Sequence, residues 1–443
     1  MVQKIRIQDY TYTLPEDRIA KFPLKNRDDS KLLLYIDNNI REEKFLNIAD
    51  CLPKNGFMIF NNTKVVPARL IFKRDSGAII EVFCLEPDTP NDYQICFLET
   101  KMCRWKAIVG NVKRWKSGKL SLLTDHIYKK GIDIEYSSVG TGDYNCVDPE
   151  NDANIKAKRH LSELQSINLQ VELIERKDNE TIVEFTWDGG YSFSKVMDTC
   201  GRIPIPPYLK RDSQLIDYER YQTYYASKEG SVAAPTAGLH FTDAVLKKIE
   251  KRGIIRDSLC LHVGAGTFLP VKSEFISDHQ MHSEPFSVSL VFLMNLLGHS
   301  EGKPVISVGT TSTRCLESLY FLGVQCIENG EPGFVSQWEP YRESGYKYTL
   351  KESVSALIKY MKDINKNIFT SRTSIIIVPG YKFRVINYMV TNFHQPQSTL
   401  LLLIAAFIGD NNWREVYNFA LSHNFRFLSY GDSSLLKLRS ECI

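Results

Sequence analysis

Four short segments combine small residues, hydroxyls and histidines in a way that suits proton transfer and close binding of a polar ligand. The first is GSVAAPTAGLHFT at 230–242. The run Ala234, Pro235, Thr236, Ala237, Gly238 leaves backbone open to a ligand, and Thr242 before Asp243 reads as a helix start. A tight turn with a satisfied His240 explains the same letters. The second segment, LCLHVGAGTF at 259–268, delivers His262 from a buried strand into a turn with Gly264, Gly266 and Thr267. Its lone Gly-x-Gly is no dinucleotide fingerprint, because no third glycine follows at the required offset. The third, VISVGTTSTR at 305–314, sets Thr310, Thr311, Ser312 and Thr313 at a helix start, with Arg314 behind them. Free amides there suit an anion, and a guanidinium can grip a carboxylate in a fork. A hydroxyl-capped helix is the plainer alternative. The fourth, MVTNFHQPQST at 389–399, offers Asn392 and His394.

Two further clusters stand out. DHQMHSE at 278–284 holds His282 two residues before Glu284. No further ligand sits at a known zinc spacing, so no metal is expected, and proton relay or hydrogen bonding suits the pair better. Between Lys101 and Lys119 lie seven basic residues and no acid, with Trp105 and Trp115 among them. Arg104, Lys106, Lys113, Arg114 and Lys116 read as a phosphate-tracking patch with aromatic stacking for RNA, which Lys210 and Arg211 extend. A solvated strand face is the competing reading.

These groups need elements to position them. The 443 residues imply two or three domains. Hydrophobic residues are 43% and charged residues 24%, which excludes disordered and fibrous classes. A net charge of +3 excludes a protein held to nucleic acid by bulk charge, though not one with a local basic face. The longest apolar run, Leu400 to Ile408, is too short for the roughly 18–20 residues a bilayer needs. No export signal is visible at the N-terminus, and ten cysteines without a CxxC pair suit a reducing cytosol. A cytoplasmic protein without a membrane is therefore expected.

Three zones differ in texture. Residues 1–68 carry the strand-like KLLLYID and the buried FMIF run. Residues 69–201 hold short β-type runs (IIEVFCLE, YQICFLE, KAIVGNV, LQVELIER, TIVEFTW), as in a small barrel or sandwich. Within them 124–167 reads as a polar surface insertion. Residues 202–443 alternate strands with helical periods at FTDAVLKKIEKRG, TRCLESLYFLG and STLLLLIAAFIG, which implies a parallel α/β arrangement with its site at the carboxyl ends of the strands. The expected class is α/β, with 1–68 and 202–443 forming one domain and 69–201 an inserted antiparallel β-barrel.

GSVAAPTAGLHF, HVGAGTF, HQMHSE, GTTSTR and TNFHQPQSTLL together resemble the motifs of the S-adenosylmethionine:tRNA ribosyltransferase-isomerase family of queuosine biosynthesis. FPLKNRDDSKLL, FNNTKVVPARL, GRIPIPPYLKR, RYQTYYA and FRFLSYGD match the rest of that pattern in order. The resemblance implies a barrel-like α/β domain with an inserted β-barrel. It also implies transfer of the ribosyl part of S-adenosylmethionine to the aminomethyl group of a 7-deazaguanine at the tRNA wobble position. Epoxyqueuosine, adenine and methionine would result. No cofactor is implied, since S-adenosylmethionine is consumed, and the partner would be tRNA with a GUN anticodon, met by a monomer. The chain departs from the family pattern at Arg202, Gln395 and Gln397 and in the insertion 124–167.

Such a reaction needs several proton carriers, and His240, His262, His282 and His394 are of that type. The donor's carboxylate is expected on Thr310–Thr313 and Arg314, and its adenosine along Ala234–Gly238 and Gly264–Gly266, with Glu284 and Asn392 as further contacts. The rival readings are a S-adenosylmethionine-dependent RNA methyltransferase and a non-catalytic RNA-binding protein.

Overall fold

A computed structural model describes residues 5–74, 76–124, 162–164, 166–177, 180–264, 271, 273–299, 302–342 and 346–439. The chain opens with a hairpin of β1 (Lys31–Ile36) and β2 (Asn39–Lys44). Asp37 and Asn38, both at positive φ, make its two-residue turn. β3 (Phe57–Asn61) is buried along its whole length, as a strand covered on both faces must be. After β4 (Thr63–Val65) come β5 (Arg69–Lys73), β6 (Ile79–Thr89), β7 (Met102–Val109), β8 (Leu120–Leu122), β9 (Gln170–Lys177) and β10 (Glu180–Thr186). These six close into an antiparallel barrel in the order β10-β7-β6-β5-β8-β9. Alternation of inward and outward residues along β5, β6 and β7 fills the barrel with Leu70, Phe72, Val82 and Trp105.

The remaining strands are β11 (Lys228–Ser231), β12 (Ile255–Leu261), β13 (Glu284–Ser289), β14 (Val305–Val308), β15 (Ile368–Thr373), β16 (Tyr388–Asn392) and β17 (Ser433–Lys437). Together with β1–β3 all but β11 form a nine-stranded sheet, β15-β13-β12-β3-β14-β16-β17-β1-β2. Its centre, β12-β3-β14-β16, is parallel, and β13 and β17 run antiparallel beside it. The fold is therefore α/β with an inserted antiparallel barrel; parallel pairing holds through the central run and again between β1 and β17, and the sheet as a whole is mixed.

The helical periods appear as Asp243–Lys251, Thr310–Asn329 and Thr399–Ile408. One β-type run is wrong. YQICFLE forms the helix Tyr93–Leu98, because the Asp92 carboxylate accepts the amides of Gln94 and Ile95 and caps a helix start. No described helix is long and apolar enough to cross a membrane. Of the insertion 124–167, residues 125–161 and 165 lie outside the described residues.

Candidate active site

The four parallel strands of the central run end at one edge of the sheet. Leu259 of β12 pairs with Asn61 of β3, Ile59 of β3 with Ser307 of β14, and Val308 with Val390 of β16. The antiparallel neighbours start at that same edge, with Phe286 opposite Leu261 and Ser433 opposite Asn392. Segments distant in sequence therefore converge. β12 delivers His262, β14 delivers Gly309–Arg314, β16 delivers Asn392 and His394, and β13 begins at Glu284 just after His282. The 230–241 segment is tied on by Ser231, whose Oγ accepts the Val263 amide at 3.1 Å, and by the Val232 amide on the Val263 carbonyl at 3.2 Å. Gly264 follows directly; Gly266 and Thr267 lie outside the described residues.

Asn61, buried at the end of an apolar strand, clamps two of these strand ends. Its Oδ1 accepts the Leu261 amide at 3.1 Å while Nδ2 donates to the Leu261 carbonyl at 2.9 Å. It went unassigned in the sequence, although an amide closing an apolar run was a usable signal.

Three of the four histidines are held neutral by their surroundings: His240 is buried, and His262 and His394 are half-buried. His240 accepts from Asn392 Nδ2 at 3.3 Å and packs on Phe45. Burial pushes its imidazole down to about 3, the nearby Arg426 and Arg27 guanidiniums add to that, and a hydrogen bond to the Arg27 backbone opposes it. His262 stacks on Tyr93, with centroids 4.1 Å apart and planes within 11°, and burial brings it to about 4. His394 meets Thr391 Oγ1 at 2.9 Å, its amide donates to the Tyr417 hydroxyl at 3.0 Å, and burial lowers it to about 3. At neutral pH these rings are acceptors and potential bases. His282 differs in kind: its Nε2 faces Glu284 Oε1 at 3.3 Å.

Glu284 and Arg314 form a buried ion pair, Nη1 to Oε2 at 2.5 Å, and Arg314 Nε donates to the Ile375 carbonyl at 3.0 Å. Burial raises the Glu284 carboxyl, but Arg314 and His282 outweigh it and hold the group ionised below its ordinary range. The fork expected to be open on Arg314 is thus largely occupied by Glu284. What remains is Arg314 Nη2, which is buried without a partner among the described residues, as are Ser312 Oγ and Asn392 Oδ1. Buried polar atoms of this kind need a partner, and three of them on one sheet edge make that edge the candidate ligand position. Thr313 is committed to Ser307 Oγ at 2.9 Å and Thr310 is buried. The amides of Thr310, Thr311 and Ser312 precede the first intrahelical bond, which runs from Thr313 N to the Gly309 carbonyl. Ala234, Pro235 and Gly238 are buried on the adjoining turn beside Thr236. Among the described residues no group of three His, Cys, Asp or Glu could hold a metal ion.

A sequence profile of the family described as "Queuosine biosynthesis protein" matches residues 7–436. The chain belongs to that family. It is 35% identical over 436 residues to the S-adenosylmethionine:tRNA ribosyltransferase-isomerase of Halothermothrix orenii, covering 98% of this chain and 100% of the relative. The enzyme of the same name from Fusobacterium nucleatum is 32% identical over 434 residues, covering 97% and 96%. A solved structure, the S-adenosylmethionine tRNA ribosyltransferase of Thermotoga maritima, is 21% identical, covers 97% of this chain and 99% of its own, and has a TM-score of 0.43.

The basic stretch divides in this queuosine family member. Trp105 and Trp115 are fully buried in the barrel, so the expected stacking of bases on them is corrected: alternation along β7 sends Trp105 inward. Arg104 pairs with Glu184 at 2.8 Å and Lys106 with Glu86. Arg211 grips the buried Asp217 through both terminal nitrogens, at 2.7 and 2.8 Å, and Lys210 reaches Glu16 at 3.2 Å. Lys113, Arg114 and Lys116 stay exposed. Glu86 also holds Arg372 of β15 at 2.9 Å, and Arg372 Nε donates to Ser283 Oγ at 3.1 Å, so a barrel carboxylate reaches the segment between His282 and Glu284. At the departures from the family pattern, Gln397 has φ +55 and donates its amide to the Tyr10 carbonyl, which a side-chain change leaves intact.

Proposed function

We propose that this chain is an S-adenosylmethionine:tRNA ribosyltransferase-isomerase of queuosine biosynthesis. The observation that carries this reading is its full-length relationship to proteins of that name within the family. The sheet edge supports it by gathering the histidines and the unpartnered polar groups.

The reaction joins the donor's ribosyl carbons to the aminomethyl nitrogen of 7-aminomethyl-7-deazaguanine at the wobble position. A base removes a proton from the ribose carbon beside the sulfonium, whose charge acidifies it. Adenine leaves with a proton, the neutral amine attacks, and an epoxide closes as methionine departs, with one proton released overall. His240, His262 and His394, held neutral, suit the proton-accepting steps. His282, whose Nε2 faces Glu284, suits a hydrogen-bonding role. The donor's carboxylate fits the amides of Thr310–Ser312 and Arg314 Nη2, and its adenosine fits Ala234–Gly238, Gly264 and Asn392. A GUN anticodon and a monomeric enzyme complete the reading. A cytoplasmic location fits a tRNA substrate and the buried free thiols Cys84, Cys103 and Cys315.

The test uses donor labelled in its adenine and tRNA carrying the unmodified amine. Free adenine that appears only with this tRNA, with epoxyqueuosine in the RNA, supports the reading. Adenosylhomocysteine in its place would establish a methyltransferase, and no donor turnover would leave an RNA-binding protein.

A further inference from the structure

The barrel wall meets the site through a kink in β6. That strand loses its register with β7 between Cys84 and Glu86. Before the break the buried residues are Ile80, Val82 and Cys84; after it burial resumes at Pro87. Strict alternation would turn Glu86 into the barrel core, and the extra residue turns it out instead. Two adjacent groups of the kink lead to site residues. The Leu85 carbonyl accepts the Tyr93 hydroxyl at 3.2 Å, and Tyr93 lies on His262. The Glu86 carboxylate takes Lys106 of β7 on one oxygen and Arg372 of β15 on the other.

Arg372 is a fork between two parts of the molecule. Its Nη2 reaches Glu86 Oε2 at 2.9 Å, while Nε donates to Ser283 Oγ at 3.1 Å and Nη2 also lies 3.4 Å from the Ser283 carbonyl. Ser283 separates His282 from Glu284, whose carboxylate meets both His282 and Arg314. The next residue of β15, Thr373, is buried opposite Glu284 and shares a hydrogen bond of 2.7 Å with Ser318, one turn along the helix from Arg314. The short segment 282–284 is therefore held from the surface by Arg372 and from the interior by Arg314. A half-exposed ion pair adds little stability by itself. The value of this one lies in what its second arm holds.

We propose that Glu86 and Arg372 are positioning residues for the reaction: the Glu86–Arg372–Ser283 strut fixes His282 and Glu284 from the barrel wall, and through Glu284 it fixes the Arg314 head group at the donor's edge of the sheet. The inference rests on the assignment of function above and deepens it, because the unit that carries the basic stretch then also sets the donor site.

Arg372→Ala should slow single-turnover adenine release about ten-fold, since small misplacements of reacting groups cost rate. The half-saturating donor concentration and the affinity for tRNA should stay within two-fold. Arg372→Lys, which keeps the charge but not the fork, should fall between. The Arg372 side chain is 41% exposed, so methylguanidine can enter in its place. It should restore at least half of the lost rate in Arg372→Ala and none in Arg372→Ala with Glu86→Ala, and that double variant should be no slower than Arg372→Ala alone. The NMR signals of the His282 imidazole should move in Arg372→Ala and return with methylguanidine, a readout that needs no turnover. A rate within two-fold of wild type, a loss shared by donor affinity and unfolding temperature that methylguanidine does not repair, or rescue that survives Glu86→Ala overturns the proposal. Wild type that releases no adenine would defeat the assignment of function, and the His282 signals would then decide the strut by themselves.

Discussion

Tyr93 of the barrel lies flat on His262 of the central sheet, with ring centroids 4.1 Å apart. The two residues come from different structural units, so the barrel wall fixes the plane of a site imidazole. Gly230 completes the sandwich. A β-carbon there would stand 2.6 Å from His262 Nδ1 and 2.9 Å from Tyr93 Cδ1, and its φ of +131 already disfavours other residues.

Tyr93→Phe keeps the stack and should retain single-turnover adenine release within about two-fold. Tyr93→Ala should slow it about ten-fold, in line with a loss of about 0.5–1.5 kcal/mol from an aromatic pair. Gly230→Ala should be slower still. Equal rates in Phe and Ala variants would show that the stack does not position His262.

Breaking the buried Glu284–Arg314 pair from one side leaves an uncompensated charge. Glu284→Leu should lower unfolding free energy by about 3–5 kcal/mol, and the double variant Glu284→Leu with Arg314→Met by much less. Urea denaturation of Glu284→Leu, Arg314→Met and the double variant checks this. Additive losses would mean that the pair is not coupled.

Acid should destabilise the fold early. His240, His262 and His394 have folded-state values of about 3, 4 and 3 against an ordinary 6.5. Below pH 6.5 the unfolded chain binds protons that the folded chain refuses, so stability is complete above that pH and falls as pH drops toward 4. Each ring contributes about 1–2 kcal/mol of loss by pH 5. Denaturation curves at pH 7, 6 and 5 should show the decline, and His240→Asn should make it shallower. A flat profile would mean the rings are hydrated.

The two halves of the basic stretch should respond differently. Lys113→Glu with Arg114→Glu should weaken tRNA binding more than ten-fold and flatten the dependence on salt by at least one unit of log–log slope. Arg104→Ala, which removes a cation already paired with Glu184, should change both little. Identical responses would return the stretch to a solvated face.

Much of this architecture was legible because apolar periodicity survives packing. KLLLYI, FMIF and the run Thr399–Ile408 fold as they read, and the strand ends collect the histidines as parallel α/β geometry requires. What was hidden depended on distant partners. Nothing near Arg314 in sequence tells that Glu284 will fill its fork, and Tyr93 looked like part of a strand until Asp92 capped it into a helix. The two Trp residues suggested RNA stacking only while the inward phase of β7 was unknown. Single-sequence reading supplies residue types at an edge; which of them spend their hydrogen bonds on each other is decided in three dimensions.

The barrel leaves and rejoins the sheet through a narrow neck. Arg69 and Arg202 exchange backbone hydrogen bonds of 2.9 and 3.2 Å, the Val66 amide reaches the Ser231 carbonyl at 2.9 Å, and a side chain on Gly201 would strike the Pro67 carbonyl. Everything threaded between Arg69 and Arg202 thus hangs from one stapled doorway, like a cassette in a socket. Transplanting that cassette from a relative would need this doorway, the Tyr93 and Glu86 footholds and the Ser194–Glu229 hydrogen bond to match, and would test whether RNA choice separates from bond-making chemistry.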